Sequence, residues 1–294
     1  MDLRHIKLFL LDLDGTCYLG RRLFPWTLPF LDTLKQRGIR YLFLTNNSST
    51  SRTHYAEKIT NMGIPTTPDD FFSSTTAAIA YLHKHHPGAK LFVLGTPSME
   101  SELREAGLTL TQGEPDIVLL GFDLTLTYDK LRQACFWLRR GKIYIATHPD
   151  INCPTEDGPI PDIGAMIELI AASAERRPDV IIGKPNPPMI DGLFERFPYQ
   201  RHEVAMVGDR LYTDIQTGLN AGIVSILVFS GETTPEMYAA WGKRADLAVA
   251  DLGALTEMLT NGMDFCKRSN FSKGVRGSAF SISSRQINSE KREK

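Results

Sequence analysis

Asp12 and Asp14 stand two residues apart, where the apolar run Ile6-Lys7-Leu8-Phe9-Leu10-Leu11 gives way to Gly15 and Thr16. If extended geometry persists to the turn, both side chains project to one side. Two carboxylates held that close do not both ionise cheaply unless a cation lies between them or one keeps its proton. Three further polar clusters follow apolar runs: Thr45-Asn46-Asn47-Ser48, Gly183-Lys184-Pro185, and Gly208-Asp209-Arg210-Leu211-Tyr212-Thr213-Asp214. The carboxylates of Asp12, Asp14, Asp209 and Asp214 are hard oxygen ligands with no His/Cys cluster beside them, so the ion they suit is Mg²⁺. Thr45 and the amide of Asn46 offer hydrogen bonds to an oxyanion, and Lys184 supplies a fixed positive charge. A dication, a lysine and several donors around a free carboxylate make a phosphoryl-transfer site, because they neutralise charge spread over the transferring oxygens.

These clusters act together only if the fold gathers them. Residues 6–11 read as a strand, and 27–36 as a helix with Leu28, Leu31 and Leu34 on one face and Gly38 as its stop. Residues 39–44 form a second apolar run, and 51–62 a helix closed by Gly63. Residues 91–94, 117–120 and 143–146 read as short strands, with helices over 128–139 and about 164–175. The loop 152–161 between them is rich in prolines and turn formers. The opening style then returns, with apolar runs at 180–182, 204–207, 223–229 and 247–250. Strand–helix alternation of this kind implies an α/β, doubly wound parallel sheet. In such a sheet the loops after the strands emerge at one edge, where ligands bind, so the four clusters are expected to converge.

The chain is 294 residues long, 42% hydrophobic, and carries 33 basic against 34 acidic residues for a net charge of −1. That suffices for two domains with real cores and gives no electrostatic case for nucleic acid or a membrane surface. Cys17, Cys135, Cys153 and Cys266 form no C-x-x-C pair, which speaks against zinc and a disulfide framework and for a reducing compartment. With no signal-peptide pattern at the N-terminus and no membrane-length apolar run, the cytoplasm is the expected location. Residues 264–294 lose periodicity, fill with Ser, Lys and Arg, and read as a disordered basic tail. His83-Lys84-His85-His86 reads as a solvated helix end, since adjacent helical residues point in different directions.

Asp12-Leu13-Asp14-Gly15-Thr16, Thr45-Asn46-Asn47, Lys184 and Gly208-Asp209…Asp214 resemble, in this order, the four motifs of the haloacid dehalogenase (HAD) superfamily of phosphatases. The insertion before Lys184, with Gly183-Lys184-Pro185-Asn186-Pro187-Pro188 and Gly208-Asp209-Arg210-Leu211, resembles the NagD-like, p-nitrophenyl phosphatase subgroup. The resemblance implies a Rossmann-like core from residues 1–75 and 178–263, with a smaller α/β cap inserted over 76–177. It implies Asp12 as nucleophile, forming an aspartyl-phosphate, and Asp14 as the acid that protonates the leaving oxygen and then activates water. Mg²⁺ would be held by Asp12, the main-chain carbonyl of Asp14 and Asp209, with Asp214 supporting from behind. Thr45 and Asn46 would bind phosphoryl oxygens, and Lys184 would restrain Asp12 and stabilise the transition state.

The dehalogenases of the superfamily lack the second aspartate, so Asp14 favours phosphate chemistry. A cap would shield the intermediate and choose the substrate, with His148 and Asp150 facing it from the polar loop 146–152 and Asn47 and Arg210 reaching its body. Cys17 departs from the commoner apolar pair after the first motif and reads as a packing thiol. The expected activity is Mg²⁺-dependent hydrolysis of small phosphate monoesters such as sugar phosphates, nucleotides or p-nitrophenyl phosphate. The partner is then a small phosphorylated metabolite, with no nucleic acid or membrane, and a homodimer is compatible because caps of this subgroup sometimes make dimer contacts. Two rival readings are a phosphotransferase or mutase with the same intermediate, and a non-catalytic phosphometabolite-binding protein. Intact Asp12, Asp14, Lys184 and Asp209 argue against the second.

Overall fold

The computed structural model describes residues 2–155 and 157–261, so the expected tail at 264–294 lies outside the described residues. The chain opens with β1 (Leu8–Leu11), the small hairpin β2 (Tyr18–Leu19) and β3 (Arg22–Leu23), and α1 (Thr27–Gln36). β4 (Arg40–Thr45), α2 (Arg52–Asn61), β5 (Phe71–Ser73) and α3 (Ser74–His85) follow. α1 and α2 stop where expected, at Gly38 and Gly63, which adopt φ of 66° and 98°, a region an L side chain resists.

The middle of the chain comprises β6 (Lys90–Leu94), α4 (Pro97–Glu105), β7 (Thr109–Leu110), β8 (Ile117–Leu120), α5 (Tyr128–Arg139) and β9 (Ile143–Ala146). The hairpin β10 (Asn152–Cys153) and β11 (Ile160–Pro161), then α6 (Ile163–Ala174) and β12 (Val180–Ile181), complete it. The last third contains α7 (Pro187–Arg196), β13 (Val204–Gly208), α8 (Gln216–Ala221), β14 (Val224–Val228), α9 (Pro235–Ala240), β15 (Leu247–Val249) and α10 (Leu252–Asn261). No helix among the described residues is long and apolar enough to cross a membrane.

The first sheet has the order β15-β14-β13-β1-β4-β5, with every neighbouring pair parallel. β1 is buried on both faces. Leu8 and Leu10 enter one apolar cluster, and Phe9 and Leu11 another. This explains its continuous rather than alternating apolar run, and each such fully buried side chain contributes about 1.5–3 kcal/mol. From β1 the chain continues to β4 on one side and returns later as β13 on the other. The order therefore reverses beside β1, and the crevice at a switch point of this kind opens at the carboxyl ends of the strands.

The second sheet has the order β12-β9-β8-β6-β7 and is also parallel throughout. Phe92, Leu94, Val118 and Leu120 on one face pack with Cys135 and Leu138 of α5 and Ile167 and Ile170 of α6. Its other face, with Leu91, Val93, Ile117 and Leu119, joins the cluster of Leu8, Leu10, Leu42 and Leu44 through Leu82 of α3 and Ile190 of α7. One apolar layer thus ties the two sheets together.

One strand sits elsewhere than the sequence suggests. Val180–Ile181 pairs with β9 at the edge of the second sheet, not with the strands of the first. The strand is two residues long and half-buried, too short for its composition to declare which sheet it joins. Part of the expected loop at 152–161 is the antiparallel hairpin β10–β11.

Candidate active site

The Asp12 N–H donates to the Val207 carbonyl at 2.9 Å, so the ladder between β1 and β13 holds this residue at the sheet edge. The chain then turns, with Gly15 at φ 79° and its N–H on the Tyr18 carbonyl at 2.7 Å. A Cβ at Gly15 would run into the Asp209 carboxylate, so glycine is required here for both conformation and room. Cys17 is fully buried and its thiol donates to the Asp12 carbonyl at 3.4 Å. Burial, then the Asp12 charge, pushes this thiol up, which leaves it a packing group rather than a nucleophile.

Lys184 reaches the site from the end of β12. Its ammonium donates to Asp12 Oδ1 at 2.6 Å, to Asp214 Oδ1 at 2.7 Å and to the Leu44 carbonyl at 3.3 Å. Burial alone would lower its pKa, but Asp12 and Asp214 more than offset this and hold the ammonium above its ordinary value. The second oxygen of Asp214 accepts from the Arg210 N–H at 3.1 Å. Burial, followed by the charge of Asp12, raises the Asp214 carboxyl despite Lys184. The Arg210 guanidinium faces Glu232 at 3.1 Å and lines the cleft.

Asp209 is 2% exposed, and one of its oxygens accepts from the Glu232 N–H at 2.6 Å. Its other oxygen, Oδ1, is buried without a hydrogen-bond partner. Burial, with Asp12 and Asp214 adding to it, raises this carboxyl. Oxygens of Asp12, Asp209 and Asp214 lie within 4.8 Å of one another. Three converging carboxylates, two of them bonded to Lys184 and the third with an orphaned oxygen, fit a hard dication bound through oxygen. The Asp14 side chain is not in that group; it lines the cleft, and burial, then Asp12, holds its carboxyl above the ordinary range.

Thr45 lies on the cleft wall, and its hydroxyl accepts from the Asn47 N–H at 3.2 Å. The Asn46 side chain is a clamp. Its Nδ2 donates to the Lys184 carbonyl at 3.0 Å and to the Asp150 carboxylate at 3.1 and 3.2 Å, and its Oδ1 accepts from the Lys184 N–H at 2.7 Å. That amide side chain, expected from sequence to serve a phosphoryl oxygen, is committed to joining the two sheets. Asn47 reaches the cleft and also closes its own loop, accepting from the Ser49 N–H at 2.8 Å. The Ser48 hydroxyl contacts Thr147 Oγ1 at 2.9 Å and accepts from the Phe122 N–H at 2.9 Å, so this loop grips the ends of β8 and β9.

The cleft has a volume of about 160 Å³. Asp150 lines it, whereas His148, also expected to face the substrate, does not. The His148 ring is fully buried, and a side chain at Gly183 would strike the His148 Cβ, the Asn46 Oδ1 and the Thr147 carbonyl. Burial pushes its pKa down to about 4. Lining groups not expected from sequence include Tyr18, the α2 residues Tyr55 and Lys58, Cys153 and Pro154, and Asp162 at the N-cap of α6. Burial raises Asp162 to about 7. The loop 230–232 was also missed, although it supplies the Glu232 N–H to Asp209 and sets the Ser230 hydroxyl on the Gly15 carbonyl at 2.7 Å. It follows an apolar run, as the recognised clusters do, and that position was its signal.

Residues 9–109 match a family model described as haloacid dehalogenase-like hydrolase, and residues 181–255 match a second, HAD-like model. The chain belongs to the haloacid dehalogenase-like hydrolases, and its likeness lies with the NagD and p-nitrophenyl phosphatase proteins of that family. The acid sugar phosphatase of Staphylococcus aureus is 36% identical over 235 residues, 80% of this chain and 90% of the relative. The 4-nitrophenylphosphatase of Thermotoga maritima superposes with a TM-score of 0.84 at 46% identity, covering 87% of this chain and 98% of that one. The p-nitrophenyl phosphatase of Archaeoglobus fulgidus gives a TM-score of 0.80 at 30% identity, over 86% and 98%.

Proposed function

We propose that this hydrolase is a Mg²⁺-dependent phosphatase that cleaves small phosphate monoesters through a phosphoryl group carried on Asp12. The observation that carries the reading is Lys184 bonded to both Asp12 and Asp214, beside the orphaned Asp209 oxygen. A cation fixed against one carboxylate restrains it for attack and offsets charge on the transferring oxygens. Asp12, Asp209 and the Asp14 carbonyl would hold Mg²⁺, with Asp214 behind them; the ion supplies further neutralisation of phosphoryl charge. Oxygen of Asp12 attacks phosphorus in line, the ester P–O bond breaks, and Asp14 gives its proton to the leaving oxygen. Asp14 then takes a proton from the attacking water, and phosphate leaves with Asp12 restored. A carboxyl held above its ordinary range suits that exchange of roles.

The second sheet supports the reading as a cap. Asp150, Asn152, Cys153, Pro154 and Asp162 from its loops line the cleft opposite Asp12, where they would exclude water and contact the substrate body. Relatives named for sugar phosphates and 4-nitrophenyl phosphate support small phosphate monoesters as the substrate class. Cys17, Cys135 and Cys153 are free thiols, which fits a reducing cytoplasm. The test is phosphate release from p-nitrophenyl phosphate and a panel of sugar phosphates, with no acceptor alcohol added. Turnover abolished by a chelator and restored by Mg²⁺ is the expected result. Turnover only with an added acceptor would make the protein a phosphotransferase, and restoration by zinc alone would contradict the oxygen-donor argument.

A further inference from the structure

A second group of metal-capable side chains lies in the loops of the second sheet. Donor atoms of His148, Asp150 and Asp162 converge within 4.8 Å of one another. His148 Nε2 is 3.5 Å from Asp162 Oδ1, and Nδ1 is 3.6 Å from Asp150 Oδ2. Neither ring nitrogen has a hydrogen-bond partner, and the ring has 0% exposure. Leaving a polar atom unpaired in a dry interior costs about 1–3 kcal/mol, and an ion on one ring nitrogen would relieve that cost at that nitrogen. Ligands on a tetrahedral ion at about 2.0–2.2 Å stand roughly 3.3–3.6 Å apart, which matches the His148–Asp162 separation.

The local structure holds these groups in place. Asp162 caps α6, accepting from the Ile163 N–H at 2.6 Å. The β10–β11 pair brings the chain back beside the loop that carries Asp150, and the Asp162 N–H donates to the Ile151 carbonyl at 2.9 Å. Asp150 is tethered to the first sheet by Asn46. One nitrogen and two carboxylate donors differ in kind from the all-oxygen group at Asp12, and imidazole selects borderline ions over Mg²⁺.

We propose that His148, Asp150 and Asp162 form a second cation site, for a borderline transition-metal dication such as Zn²⁺ or Co²⁺, separate from the carboxylate group at Asp12. An ion there fixes the loop that carries Asp150 against Asn46 and braces the cap over the cleft.

The test uses the full chain, stripped by chelation and then held in excess Mg²⁺ to fill the oxygen site, with Co²⁺ alone as the probe. Visible d–d absorption strengthens when Co²⁺ leaves octahedral water for a low-coordinate protein site, and its loss on changing His148 assigns the nitrogen donor. The expected result is saturable Co²⁺ absorption in the parent chain and in Asp12→Asn, and binding weakened by more than about tenfold in His148→Asn and in Asp162→Asn. The Asp162→Asn variant keeps a side chain that caps helices well, so it reports even if His148→Asn fails to fold. Co²⁺ absorption lost in Asp12→Asn but unchanged in Asp162→Asn would overturn the proposal, as would no absorption in the parent chain.

Discussion

Replacing Lys184 by methionine should cost both stability and catalysis, and the two losses should respond differently to Mg²⁺. Lys184 is 3% exposed and has carboxylate oxygens at 2.6 and 2.7 Å. At an effective dielectric of about 20, a unit-charge pair at such distances is worth about 6 kcal/mol. Desolvation of the ammonium and carboxylates offsets much of this, and breaking a buried pair from one side costs about 3–5 kcal/mol overall. Methionine is close in length but neutral, so Asp12, Asp209 and Asp214 would crowd together with no buried ammonium between them. In chelator, the urea unfolding free energy of Lys184→Met should fall by about 3–5 kcal/mol. With saturating Mg²⁺ the deficit should shrink, because a dication relieves the same repulsion. Catalysis should not recover: losing one preorganised positive group costs about 10²–10³ in kcat. The assay is p-nitrophenolate release beside paired urea titrations with chelator and with Mg²⁺. A variant within about 1 kcal/mol of the parent in chelator, with kcat/KM also close to the parent's, would refute the role given to this lysine.

Asn46→Ala removes the clamp between Asp150 and the Lys184 backbone, so kcat/KM should drop by about 10–100-fold with the fold intact, checked by steady-state kinetics and circular dichroism. A Cβ at Gly231 would strike the Asp209 carboxylate and the Gly15 Cα. Gly231→Ala should therefore raise the Mg²⁺ concentration for half-activation by about tenfold or more. Glu102 is buried beside Arg52, whose Nε donates to Oε1 at 3.1 Å, and burial holds its carboxyl above the ordinary value against the pull of Arg52. The native state therefore keeps this proton to higher pH than the unfolded chain, so this group's contribution to stability declines as pH rises through the carboxylate range. Glu102→Gln lacks that slope, and urea midpoints at about pH 4 and pH 7 should shift in the variant's favour at the higher pH.

Much of the site could be read from residue order because buried parallel strands announce themselves. The runs before Asp12 and Asp209 are apolar on both faces, so the polar residues that end them are conspicuous, and topology places such ends at one edge. Lys184 was legible as a residue but not by its route: β12 is too short and too exposed to show that it extends the second sheet. His148, polar and next to a proline, reads as exposed loop. Its burial comes from the packing of the second sheet's loops against Gly183 and the first sheet, partners far apart in the chain. Asn46 looks like a free donor until Asp150 and Lys184 are brought beside it, a contact that only the packing of two sheets creates. Glu232 contributes through its main-chain N–H, so its residue type carries no signal of that contact.

The central claim is that Asp12 itself accepts the phosphoryl group. Rapid acid quench during turnover of a ³²P-labelled phosphate monoester, followed by peptide mass spectrometry, measures this most directly. The expected result is a hydroxylamine-sensitive acyl phosphate on the peptide containing Asp12, absent from Asp12→Asn along with phosphate release. Phosphate released at an undiminished rate by Asp12→Asn, or label found on another side chain, would contradict it.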